Sequence, residues 1–376
     1  EMQRSLVGSE MCIRDSYYND SKKVTYHEQT DISNILKLRA VLKTLPDFCK
    51  DYFRAMDPLT TTKTRISYAY DIRIFFQFLL DENPAFKDYS MKDFTVDVLD
   101  QLKAIDIEEY QEYLKVYKNG DKTETNGERG LKRKISALRS FYAYYYKHEF
   151  IQTNPTVLVD VPKTHEKNII RLDADEVAML LDHIEHCGDE LTGQKRVYYE
   201  KTKERDLAIV TLLLGTGIRV SECVGLDVED VDFKNNGIKV TRKGGNEMFV
   251  YFGDEVAEAL KKYIEVRAGI TPVAGHEHAL FYSAQRKRIN VKTVENLVKK
   301  YASQVTTTKK ITPHKLRSTY GTTLYQETGD IYLVADVLGH KDVNTTKKHY
   351  AAMDDARRRQ AATAVRLRES MPEHEE

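Results

Sequence analysis

Thr312-Pro313-His314-Lys315-Leu316-Arg317 reads as the opening of a helix. Threonine is a good N-cap because its hydroxyl accepts from an N–H of the first turn. Proline suits the first helical position, where no N–H is needed. His314 and Arg317 then stand three residues apart and project from one face of the first turn. The backbone N–H groups of that turn already favour an anion. A lone H-x-x-R also fits an ordinary surface helix, so the reading depends on partners elsewhere in the chain.

Three such partners are present. In Gly215-Thr-Gly-Ile-Arg-Val-Ser-Glu222 a glycine-bounded turn delivers Arg219 at the junction of two helices. Glu222, three residues on, is placed to hold its guanidinium, and an arginine so fixed makes a planar fork suited to phosphate. A purely structural Arg–Glu pair fits the same spacing. Ile238-Lys-Val240 and Met248 to Phe252 alternate with period two around Lys243-Gly244-Gly245, which predicts a β-hairpin. In Leu338-Gly339-His340, Gly339 can end a helix, and Asn344-Thr345-Thr346 can start the next, carrying Lys347, Lys348, His349 and Tyr350. One tyrosine among 24 says nothing alone.

Taken in order, T-G-I-R-V-S-E, the Lys-Gly-Gly turn, T-P-H-K-L-R and L-G-H-K-D-V-N-T-T-K-K-H-Y resemble the tyrosine recombinase (phage integrase, Xer-like) family over about residues 169–353. The resemblance implies a mainly α fold with a small antiparallel β-sheet, in two domains that clamp duplex DNA. It implies a site-specific recombinase that joins DNA through a 3′-phosphotyrosine and a Holliday junction, as a homotetramer on paired double-stranded sites. Tyr350 would be the nucleophile, and a phenol with a pKa of about 10 needs help to ionise at neutral pH. Arg219 and Arg317 would hold the non-bridging oxygens, and His314 and His340 would bond the same phosphate. His314 would also accept the proton of Tyr350. Lys243 would be the general acid for the leaving 5′-oxygen, with Glu222 orienting Arg219. No metal or nucleotide cofactor is implied, because the bond energy is kept in the phosphotyrosine.

Two departures stand out. Asn246-Glu247-Met248 occupies the place where the family's hairpin usually carries a second base. The step from His340 to Tyr350 is one residue longer than in many Xer-like chains, which sets His349 beside Tyr350 as its alternative; no tyrosine follows Tyr350.

Toward the N-terminus, residues 33–50 predict one helix. Thr60-Thr-Thr would cap a second, in which Tyr68, Ile72, Phe75, Phe76 and Leu79 mark one buried face up to Asn83-Pro84. Residues 105–117 predict a third, stopped at Asn119-Gly120, and residues 127–147 a fourth. Together they read as a compact helical bundle over 33–150, which the resemblance makes a core-binding domain, followed by a linker at 151–168 marked by Asn154-Pro155 and Val161-Pro162. The catalytic domain is expected over 169–350, and 351–376 as a tail helix suited to exchange between subunits. On the fourth helix Arg129, Lys132, Arg133, Lys134, Arg139 and Lys147 face only Glu128. A solvated helix face is the plain reading; since the family lays a helix of this bundle in the major groove, the resemblance favours DNA contact.

The chain carries 58 basic and 58 acidic residues, a balance that hides clustering on one face and so excludes no nucleic-acid partner. No stretch approaches the roughly 20 apolar residues of a membrane span, and no secretory pattern opens the chain. Its scattered cysteines lack a C-x-x-C pair, so a cytoplasmic protein is expected. Residues 1–16 read as translated sequencing-library adapter, which sets Cys12 aside. His183, His186 and Cys187 lie at metal-ligand spacing without a second cluster, and read as helix surface. His276-Glu-His278 reads as a loop. An integrase of a mobile element, with an accessory directionality factor, is the first expectation, and a Xer-type dimer resolvase the second. A type IB topoisomerase or a non-catalytic DNA-binding protein would share parts of the pattern.

Overall fold

The computed structural model describes residues 25–163, 165, 170–242, 245–340, 342, 343 and 346. Lys243, Tyr350, the segment 1–16 and the tail 351–376 lie outside the described residues. The chain divides into two compact units, one up to residue 166 and one from residue 167.

The first unit is a helical bundle. Helices α1 (Tyr26–Leu42) and α2 (Cys49–Ala55) replace the single helix expected over 33–50. Thr25 and Glu28 form a capping box that starts α1 early. The chain turns before Pro46, whose ring cannot continue a helix. Helix α3 (Thr62–Glu82) is capped by the Thr61 hydroxyl and ends at Asn83. After the short α4 (Val98–Gln101) comes α5 (Ala104–Tyr113), which stops four residues sooner than expected. Val116–Asn119 (β1) instead pairs antiparallel with Lys122–Thr125 (β2). Gly120 takes φ +61° at the turn between them. Helix α6 (Glu128–Lys147) crosses the bundle and packs on α3. Phe75, Phe76, Phe141, Tyr142 and Tyr145 are buried there in edge-to-face contacts.

Much of the stretch expected as a linker belongs to this bundle. Ile151 and Val159 are buried in its core. Asp100 accepts from the Gln152 and Thr153 N–H groups, and Arg139 donates to the carbonyls of Thr156 (3.1 Å) and Val159 (2.5 Å). Apolar side chains and satisfied backbone groups hold these residues despite their lack of periodicity.

The second unit is built around α8 (Gly193–Thr216), whose stretch from Leu207 to Leu213 is buried on every side. Helices α7 (Ala174–His186), α10 (Asp254–Ala268), α11 (Val291–Val305) and α12 (Pro313–Thr328) pack on it. Between α9 (Val220–Gly225) and α10 runs a three-stranded antiparallel sheet of β3 (Val231–Asp232), β4 (Gly237–Thr241) and β5 (Glu247–Tyr251). Asp254 is the first helical residue of α10, and Gly253 is its cap. Helix α13 (Ile331–Leu338) ends the described helices. A buried pair ties the unit together: Arg205 donates twice to Asp206 and once to the Tyr282 carbonyl, and the Tyr301 hydroxyl donates to Asp206 at 3.1 Å. No helix among the described residues is long and apolar enough to cross a membrane.

Candidate active site

The site forms where three turns of the second unit meet, and α13 supplies its floor. A helix leaves its last carbonyls without intrahelical partners and carries partial negative charge there. Gly339, at φ +62°, turns the chain: its N–H returns to the Asp336 carbonyl (2.8 Å) and that of His340 to Ala335 (2.9 Å). This is the Schellman pattern, which favours glycine at its left-handed position. It fixes the backbone of His340 one step beyond the helix end.

Two arginines use the exposed carbonyls. Arg317, in the first turns of α12 and only 5% exposed, donates to the Gly217 carbonyl (2.6 Å) and to the Leu338 carbonyl. Gly217 ends α8 at φ +62°, and a Cβ there would stand 2.4 Å from the Tyr320 ring. That turn leads directly to Arg219. Arg219 caps α9, donating its backbone N–H and its Nη1 to the Glu222 carboxylate, both at 2.8 Å, while its Nη2 approaches the Gly339 carbonyl at 3.4 Å. The Glu222 side chain is 4% exposed against 38% for Arg219, so a buried carboxylate aims a guanidinium that still reaches solvent.

His340 contacts the Thr346 hydroxyl through Nδ1 at 2.7 Å. When that hydroxyl donates, Nε2 is left carrying the proton. His314 is exposed in the first turn of α12. Thr312 has the extended conformation of an N-cap, without a side-chain capping bond. The structure therefore brings Arg219, Glu222, Arg317 and His340 together, with His314 on the helix that carries Arg317. Lys243 follows Arg242, the last described residue before the hairpin turn, and Tyr350 follows Thr346 by four residues.

Sequence reasoning missed two residues here. Arg242 donates to the Val337 carbonyl (2.8 Å), beside the carbonyls used by Arg317 and Arg219. Thr346, expected only as part of a helix start, is fully buried against His340. Glu247, in the place of the usual second base, pairs with Lys239 on the neighbouring strand at 3.3 Å.

Residues 170–357 match the phage integrase family. The chain belongs to that family. Curated relatives include the tyrosine recombinase XerC of Caldanaerobacter subterraneus subsp. tengcongensis, 34% identical over 78% of this chain and 79% of the relative. The tyrosine recombinase XerS of Lactococcus lactis subsp. cremoris is 30% identical over 84% of this chain and 93% of the relative. The fold is shared with the Tn1549 transposon integrase in complex with circular intermediate DNA (TM-score 0.59, 21% identity, 83% of this chain and 98% of that one). It is also shared with XerH bound to difH substrate (TM-score 0.55, 18% identity, 80% and 79%).

The basic residues of α6 separate into two groups. Arg129 and Lys132 are exposed. Arg133, about half exposed, is ion-paired with the buried Asp71. Lys134 is buried, with Nζ 3.7 Å from the same carboxylate, and burial pulls its pKa down. Arg139 is committed to the Thr156 and Val159 carbonyls. The periodicity explains the split, since Leu131, Lys134, Ile135 and Leu138 fall on one stripe facing the core. Among the described residues no group of three or more His, Cys, Asp or Glu could hold a metal ion, His183 and His186 of α7 included.

Proposed function

We propose that this tyrosine recombinase uses Tyr350 to exchange strands between two specific duplex sites. The convergence of Arg219 and Arg317 on the Leu338 and Gly339 carbonyls, one residue before His340, carries the reading. Two guanidinium groups and an imidazole beside one turn suit the non-bridging oxygens of a phosphate passing through a pentacoordinate state. In the forward step the Tyr350 oxygen bonds to phosphorus and gives its proton to His314. The bond to the 5′-oxygen breaks, and Lys243 protonates that oxygen. Religation runs the same steps backward with a 5′-hydroxyl from the partner duplex.

The DNA-bound states of the transposon integrase and of XerH support duplex DNA as the partner. Arg129 and Lys132 are the α6 side chains best placed to meet its phosphates, with Arg133 held ready by Asp71. A homotetramer on paired sites, coupled through the tail 351–376, completes the reaction. Two settings suit this chemistry. One is the integrase of a mobile element, with an accessory directionality factor. The other is a Xer-type resolvase; similarity to XerC and XerS on one side and to a transposon integrase on the other fits either setting. Direct repeats in the DNA flanking the gene would mark the first.

A nicked suicide duplex carrying the site tests the nucleophile, because the short 5′ fragment diffuses away and traps the adduct. The wild-type protein is expected to give a protein–DNA adduct stable to SDS, and Tyr350→Phe to bind the duplex and give none. Undiminished adduct from Tyr350→Phe would overturn the assignment and point to His349.

A further inference from the structure

Arg242 stands where β4 gives way to the hairpin turn. Its N–H donates to the Asn246 carbonyl at 2.7 Å, and its carbonyl accepts from the Gly245 N–H at 3.1 Å. Gly245 takes φ +81°, a left-handed value that favours glycine. Lys243 is the next residue in the sequence, so Arg242 is the last described point of the backbone before it.

The side chain reaches the end of α13. Its Nη2 donates to the Val337 carbonyl at 2.8 Å, and its Nη1 reaches toward Asp336 at 3.5 Å. The guanidinium lies against Gly339 so closely that a Cβ there would fall 1.6 Å from Nη1 and 2.3 Å from Cζ. Nε is buried and has no hydrogen-bond partner among the described residues. Burial lowers the pKa of this arginine; the Glu222 and Asp336 carboxylates favour its charge and Arg219 opposes it. A third guanidinium is thus held among two others with part of its bonding capacity unmet. Solvent lies within reach of a residue at a strand end, so the placement calls for an account. The contact it makes joins the base of the hairpin turn to the helix end that also holds Arg219 and Arg317.

We propose that Arg242 is a positioning residue for the general acid, tying the backbone one residue before Lys243 to the C-terminus of α13, where the phosphate-binding arginines are also held. The proposal rests on the reading of Lys243 as that acid. A residue that acts through the acid is dispensable when the leaving group needs no proton, whereas a residue that supports only the fold or the phosphate is not.

The test is single-turnover cleavage by the full-length protein on two nicked suicide duplexes, one with the ordinary 5′-oxygen and one with a 5′-bridging sulfur. Arg242→Ala is expected to cleave the ordinary duplex about 100-fold slower, the usual effect of a misplaced catalytic group. The sulfur duplex should recover most of that loss, as it should for Lys243→Ala, while binding in a gel shift changes less than about twofold. Arg242→Lys, a point charge without the planar fork, should lose less and be rescued alike. It keeps the test available if the alanine variant does not fold. Rescue of Lys243→Ala without rescue of either Arg242 variant would overturn the proposal and leave the acid intact. Wild-type cleavage of the ordinary duplex by Arg242→Ala would overturn it too. Failure to rescue Lys243→Ala itself would remove the acid, and the proposal with it.

Discussion

Removing Glu222 tests whether a buried carboxylate aims Arg219. Its two oxygens take one backbone and one side-chain N–H of Arg219, each at 2.8 Å. A hydrogen bond to a charged group contributes about 1.5–3 kcal/mol. The guanidinium half of this contact counts for less, because the Arg219 side chain is 38% exposed and its charge is screened. Glu222→Ala should therefore lower unfolding free energy by about 2 kcal/mol, mostly from the orphaned backbone N–H. The effect on cleavage should be larger than on stability. Among the described residues, only the 3.4 Å approach to the Gly339 carbonyl would remain to orient the fork. A displacement of about 1 Å in such a group costs about 100-fold, or about 2.7 kcal/mol of barrier.

The assay is a double-mutant cycle in single-turnover cleavage of the suicide duplex, with binding followed by gel shift. Arg219→Ala alone should lose about 100- to 1000-fold, the range for deleting one donor to a developing anion. If Glu222 works through Arg219, the double variant should be no slower than Arg219→Ala. Glu222→Gln, which keeps one acceptor but no charge, should fall between wild type and Glu222→Ala. Multiplying losses in the double variant would refute the reasoning, as would full-rate cleavage by a folded Glu222→Ala.

Three further outcomes are expected. Gly339→Ala must place a side chain at φ +62°, at a cost of roughly 1–2 kcal/mol, and its Cβ would displace the Arg242 guanidinium; cleavage at the wild-type rate would show that this packing is not needed. Asp206→Ala strands the buried Arg205 charge and should cost about 3–5 kcal/mol in denaturant unfolding, and a loss under about 1 kcal/mol would contradict that. Lys132→Ala should weaken DNA binding and lower the slope of log K against log salt by about 1, whereas Lys134→Ala should lower stability and leave that slope unchanged; the reverse pattern would overturn the division of α6.

What the sequence disclosed depended on how local the cause was. Helix α11 has local causes throughout: Asn290 caps it, accepting from the Thr293 N–H at 2.8 Å, and its buried apolar residues keep to one face. Helix α8 is harder to read from its pattern. Its first half is polar and its second half is buried all round, so neither shows the one-sided period of a surface helix. The hairpin of β1 and β2 was taken for the end of a helix, since Val116 and Tyr117 prolong the apolar count and Gly120 serves a stop as well as a turn. The Arg219–Glu222 pair was legible because capping is settled within three residues. Lys134 could have been recognised as buried, for it lies on the stripe of Leu131, Ile135 and Leu138 opposite Asp71. Arg242 could not, because its direction is set by carbonyls about 95 residues away in the chain.

The same distinction bears on how the site is assembled. Each arginine is placed by a local device: a capping box for Arg219, the first turns of α12 for Arg317, and a strand end for Arg242. None of these devices brings one arginine to another, and like charges oppose the meeting. The meeting place is a helix end, whose unpaired carbonyls at Val337, Leu338 and Gly339 accept one guanidinium each. Those acceptors offset part of the repulsion before any phosphate arrives. A guanidinium has five N–H donors, so a bond to a carbonyl orients the fork without exhausting it. Arg219 and Arg317 then need little rearrangement when an anion enters, which is the condition under which fixed donors lower a barrier most. The Schellman turn at Gly339 is thus shared by all three arginines and by His340, and the four are set by one backbone geometry rather than by four separate ones.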